Sequence, residues 1–172
     1  MSQPDAEIEG AKGSWWRRWL LKPVLAQLTQ GISADRLAWT IALGIVFGVF
    51  PIMGSTTLVC LLMGYLFRLN QPVLHVFKTA VYPLHLALIL VFIHLGERLF
   101  GVPPLSFSIP ELVGKFKADP LQFARDFGMA ALHGVVAWAV IAPVAAMLIK
   151  VSVLPMLIRL RNSVESKREV LP

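Results

Sequence analysis

Charge is scarce in this sequence: only 15% of its 172 residues are Asp, Glu, Lys or Arg, while 56% are hydrophobic. A soluble domain of this size needs far more polar surface, so the composition argues for a chain that meets lipid. Cysteine is nearly absent. The single Cys60 lies in an apolar run, cannot form an intrachain disulfide, and reads as a small buried hydrophobe. Catalytic signatures are missing as well. There is no GxSxG, no phosphate-cradling glycine loop and no pair of carboxylates at helical spacing, and Asp35, Glu97, Glu111, Asp119 and Asp126 fall mainly at segment ends. His85 and His94 are nine apart, on nearly opposite helix faces, and His133 is distant with no HExxH pattern, so no metal site is expected. The chain is therefore expected to be no enzyme and to carry no cofactor. A secretory signal is also lacking, because Asp5, Glu7 and Glu9 precede the first basic residue and no short apolar core leads to a cleavage site.

What the sequence does have is an excess of basic residues, +6 formally, set beside apolar segments. They form no basic face interleaved with aromatics, which speaks against nucleic acid and for an anionic lipid surface. The stretch Ser14 to Gln30 mixes Trp15, Trp16 and Trp19 with Arg17, Arg18 and Lys22, the combination that favours lipid headgroups. It reads as an interfacial anchoring helix or, alternatively, as an amphipathic helix packed on the protein's own surface.

Three apolar regions follow: Leu37 to Phe67, Val73 to Leu95, and Gly128 to Ile149, the last continuing less cleanly through Val151 to Leu160. A helix needs roughly 20 apolar residues to span the hydrocarbon. The third region meets that length, with Pro143 as an expected kink and Lys150 placed to snorkel at its end. The first is too long for one straight helix and short for two. It is broken at its centre, in FGVFPIMGSTT (Phe47 to Thr57): Pro51 removes a backbone donor, Gly54 frees the backbone, and Ser55, Thr56 and Thr57 can cap a new helix. The segment reads as a helical hairpin, either re-entrant with its tip inside the membrane or closing at the far surface between two short spans. Gly44 and Gly48 share one face and Gly64 lies on the returning half, which permits close helix approach. The second region repeats the break at Tyr82-Pro83. Two interrupted apolar segments are the pattern of inverted-repeat transporter sites, although the two halves share no visible residue-level similarity.

The residues IALGIVFGVFPIMGSTT (Ile41 to Thr57) and FRLNQP (Phe67 to Pro72), with an X-Pro break about ten residues later, resemble the uncharacterised bacterial family known as domain of unknown function 2062. The resemblance spans about Arg36 to Gly101, and its most specific positions are Phe47, Gly48, Pro51, Gly54, Thr57, Arg68 and Asn70. It implies an integral membrane protein of bacterial type and no particular activity.

Polar groups within the apolar segments mark candidate binding residues. His75, Lys78, Thr79 and Tyr82 recur at helical spacing before Pro83, facing either a cavity or, if Gln71 to Lys78 lies in the interface, the headgroups. Gly101 to Pro120, rich in proline, reads as an extramembrane connection, and Asp119-Pro120 with Gln122 as a helix start with a capping-box partner.

The expected fold is thus an all-α integral membrane protein. It divides into a cytoplasmic N-terminus with an interfacial helix (1–35), a membrane region of broken helices (36–101), an extramembrane connection (102–127), a C-terminal membrane helix region (128–161) and a basic tail (162–172). Arg17, Arg18, Lys22, Arg36, Arg68, Arg159, Arg161, Lys167 and Arg168 place both termini in the cytoplasm of a multi-pass inner-membrane protein, against the opposing Lys115, Lys117 and Arg125.

Two functions fit. One is a carrier or flippase-like component for an anionic, phosphate-bearing or lipid-linked substrate, held by Gly54, Ser55, Thr56, Thr57, Asn70, His75, Lys78 and Tyr82. The other is a non-catalytic scaffold whose breaks at Gly48, Pro51, Gly54 and Pro83 serve packing. The expected partners are membrane lipids and further copies of the chain or other membrane proteins.

Overall fold

The computed structural model describes residues 23–24, 26–27, 32–104 and 108–169. The anchoring residues Trp15, Trp16, Arg17, Arg18 and Trp19 lie outside them. Every regular element among the described residues is a helix: α1 (Ala34–Gly48), α2 (Thr56–Leu66), α3 (Gln71–Ala80), α4 (Tyr82–Phe100), α5 (Ile109–Ala118) and α6 (Pro120–Glu169).

Helix α1 starts where Ser33, in extended conformation, accepts a hydrogen bond from the Arg36 amide, and Asp35 in its first turn suits the positive end of the helix dipole. Its residues are buried nearly all round, because α2, α3 and α6 all pack on it. Leu37, Ala38 and Ile41 join Val24, Val73 and Leu157 in the principal core. The helix stops at Gly48, and Pro51 cannot continue it.

The return segment α2 has 11 residues and buries only Thr56, Cys60 and Gly64, one stripe at four-residue spacing. Its other faces carry exposed Leu58, Leu62, Tyr65 and Leu66. At its end, Arg68 takes φ +52 while the Leu69 amide bonds back to the Gly64 carbonyl, a Schellman-type cap. An arginine occupies the left-handed position that glycine usually takes, at a cost of roughly 1–2 kcal/mol.

Asn70 then opens α3 by accepting from the Val73 amide. The glycines of α1 do not face α2 as a hairpin alone would have them: they face α3. A Cβ on Gly44 would lie 2.8 Å from the Leu74 carbonyl oxygen, and one on Gly48 would lie 3.0 Å from Lys78 Cα and 2.6 Å from a Val81 methyl. Gly64 likewise meets the Gln71 side chain of α3, so the small residues on both limbs serve a third helix.

Val81 ends α3 and begins α4, with Pro83 in the first turn, so the break expected at Tyr82-Pro83 is a bend between consecutive helices. Gly101, at φ +64, closes α4. Glu97, expected at the membrane boundary, is 3% exposed, because it shares with Phe92, Ile93 and Gly96 the face that packs on α6.

The connection expected at 102–127 contains helix α5. Its signals were masked by the surrounding prolines: Pro110 sits in the first turn, Glu111 near the amino end and Lys115 and Lys117 in the last turn, each where a helix favours it. Asp119 caps α6 as expected, accepting from the amides of Leu121 and Gln122. Gln122 makes no capping box, since its amide group reaches Asp126 instead. Helix α6 runs 50 residues, about 75 Å, through both Pro143 and Pro155. The third apolar region and its continuation are therefore one element.

Two described helices, Tyr82–Phe100 and Pro120–Ser163, are long and apolar enough to cross a membrane, and only 28% and 11% of their most apolar windows are buried.

Candidate functional site

The break in the first apolar region forms a turn from Val49 to Ser55, held by the Phe50 amide on the Phe47 carbonyl and the Ser55 amide on Ile52. Gly54 has φ +85 and open space around it, a conformation that glycine adopts without strain. Ser55 precedes α2 but does not cap it with its side chain; the hydroxyl donates to the Ile52 carbonyl. Thr56 is buried beside Cys60 on the inner stripe. Thr57 turns outward and accepts a hydrogen bond from Lys78 Nζ at 2.5 Å. The structure thus brings the amino end of α2 and Lys78 together, 21 residues apart in sequence.

The other predicted residues divide. His75 lies one turn before Lys78 on α3. Tyr82 is 49% exposed, its ring 5.9 Å from that of His85. His85 is buried, and its Nδ1 finds no hydrogen-bond partner among the described residues. Asn70 belongs elsewhere. It sits at the opposite end of α3, roughly 12 Å from Lys78 along the axis, capping that helix and donating to Gln27.

A larger feature escaped the sequence reading. Helices α1, α2 and α6 enclose a groove of about 680 Å³ lined by Trp39, Phe47, Met63, Phe67, Trp138 and Met147, among other apolar residues, with Arg36 as its one charged lining residue among the described residues. Trp138 anchors its inner end, donating to the Val46 carbonyl at 3.1 Å and packing edge-on against Phe50. A smaller adjoining cavity shares Arg36 and Leu69 and adds Arg68, Thr40 and Asn70. Lys150 pairs with Asp35 at 2.7 Å and lies over the Trp39 ring. In the sequence Arg68 stands out through the family resemblance and as a topology charge, and no local pattern links Trp39 to Trp138.

The family described as an uncharacterized protein conserved in bacteria (DUF2062) matches residues 14–164. No curated protein and no solved structure matches the chain.

Proposed function

The chain belongs to this uncharacterised bacterial family, DUF2062, and from that premise and the geometry of the site we propose that it is an integral inner-membrane protein that carries, or helps to move, an anionic, phosphate-bearing or lipid-linked substrate. The observation that carries the reading is the contact of Lys78 with Thr57 at the amino end of α2. There the first helical amides have no side-chain cap, the helix dipole is positive, and a lysine adds charge, a combination that favours an anion.

A re-entrant hairpin would bring that site into the membrane. Helices α1 and α2, about 22 and 16 Å long, are both short of a 30 Å hydrocarbon core. Phe50 at the turn packs on Trp138, and α6 extends roughly 27 Å beyond that residue towards Pro120. The apolar side chains exposed on α2, α4 and α6 fit lipid as their surroundings. In this reading both termini are cytoplasmic, the chain does no covalent chemistry of its own, and its partners are lipids and copies of itself or other membrane proteins.

A scaffold is the second reading, favoured by the close seating of Gly44 and Gly48 on α3, which gives the breaks a packing role without any ligand.

Labelling separates them. Met53, 65% exposed at the turn, replaced by cysteine in a Cys60→Ala background, is expected to react with small aqueous thiol reagents from the cytoplasmic side and to be protected by inorganic phosphate, less so after Lys78→Ala. Reaction from outside alone eliminates the re-entrant hairpin. Cytoplasmic reaction indifferent to phosphate and to Lys78 leaves the scaffold. Reporter fusions at Met1 and Pro172 test the placement of the termini.

A further inference from the structure

The groove between α1, α2 and α6 has two chemically distinct ends. Its length is apolar and aromatic, and its volume of about 680 Å³ lies within the roughly 300–1,000 Å³ of small-molecule sites. Its mouth is cationic. Arg36 lines both the groove and the adjoining cavity, and Arg68 lines the latter. Neither guanidinium has an acidic partner within 4.0 Å among the described residues; Asp35, next to Arg36 in the chain, is taken by Lys150. The other polar groups at the mouth are engaged: the Thr40 hydroxyl donates to the Arg36 carbonyl, and Asn70 caps α3 and bonds Gln27. Among the described residues, two positive charges without an acidic partner therefore sit beside an apolar channel. Arg68 is held there by a backbone conformation that arginine rarely adopts.

We infer that this groove binds an anionic phospholipid, one chain lying along Trp39, Phe67 and Trp138 and the phosphate between Arg36 and Arg68. A headgroup that is negative overall matches the pair of arginines, whereas a zwitterionic one brings its own cation to the same place. The site lies at the opposite end of the α1–α2 pair from Lys78, and it stands or falls independently of any anion held there.

Trp39 and Trp138 report on the groove directly once Trp15, Trp16 and Trp19 are replaced by phenylalanine. In nanodiscs containing equal small fractions of dibrominated phosphatidylglycerol or dibrominated phosphatidylcholine, the anionic lipid is expected to quench their fluorescence at lower mole fraction, by a factor of roughly thirty for two arginines. Arg36→Gln combined with Arg68→Gly should remove the preference, and Ala142→Phe, which fills the groove wall, should reduce quenching by both lipids. Glycine adopts φ +52 without strain and Arg36 is exposed, so the double variant keeps the backbone intact; Arg36→Gln alone, expected to lose part of the preference, provides the second measurement. Equal quenching by the two lipids in the parent protein overturns the inference, as does a preference that survives the double variant or quenching untouched by Ala142→Phe. Weak quenching by both would mean that protein fills the groove, from residues 1–22 or from a second copy, and overturns it too.

Discussion

Replacing Gly96 with alanine should pull α4 away from α6. A Cβ there would sit 2.8 Å from the Gly134 amide nitrogen and closer still to the His133 carbonyl, both backbone atoms that no rotamer change can move aside. Side-chain carbons essentially never approach within 3.0 Å of such atoms, so the helices must part by about 1 Å, and a gap of that size forfeits a quarter to a half of each dispersion contact across the seam. Overpacking of this kind costs roughly 1–3 kcal/mol, and rigid backbone on both sides puts Gly96→Ala near the upper end. Alanine's better helix propensity returns about 0.5–1 kcal/mol, leaving a net loss of about 2 kcal/mol. Gly128→Ala, also within a helix but with open space around it, meets nothing and should gain that same 0.5–1 kcal/mol. At about 2–4 °C per kcal/mol for a chain of this length, thermal unfolding in mild detergent, followed by near-ultraviolet circular dichroism, should show Gly96→Ala some 4–8 °C below the parent and Gly128→Ala slightly above it. A Gly96→Ala protein that melts at or above the parent temperature would refute the close α4–α6 seam.

Asn70→Ala removes the acceptor for the Val73 amide and the bond to Gln27, and should cost about 1 kcal/mol in the same melt, whereas Asn70→Asp keeps the cap and should recover much of the loss. Arg68→Gly should be more stable than Arg68→Ala by about 0.5–1 kcal/mol, because glycine relieves the left-handed backbone strain and gives back part of the gain as unfolded-chain entropy; equal stabilities would mean that Arg68 is not strained.

The breaks were legible because proline and glycine act locally. Pro51 with Gly54, Tyr82-Pro83, and Asp119-Pro120 each end or begin a helix wherever the chain goes next. Helix α5 was hidden for the same reason: with Pro103, Pro104 and Pro110 close together, the density of breakers outweighed Glu111, Lys115 and Lys117. Pro143 and Pro155 show the converse, since packing and length carry α6 across both. The direction of the glycine faces could not be read from spacing, because Gly44 and Gly48 present one stripe and only the tertiary fold decides that α3 fills it. At the candidate site, the spacing of His75, Lys78 and Tyr82 was visible, but the meeting of Lys78 with Thr57 depends on how α3 folds back along α1. The groove was invisible, built as it is from Trp39 and Trp138 on helices far apart in sequence.

Trp138 also completes the end of α1. The Phe50 amide, which an unbroken helix would offer to the Val46 carbonyl, bonds Phe47 instead, and the Trp138 indole supplies the missing donor from 92 residues downstream. At roughly 5–20 residues per second, translation takes about 5–20 s to cover that distance. For that interval α1 has an unfinished terminus, and the turn beside it lacks the aromatic wall formed by Trp138. Helix α1 therefore depends for its completion on a helix synthesised much later, and a ribosome stalled before residue 138 would present the turn in its least protected form.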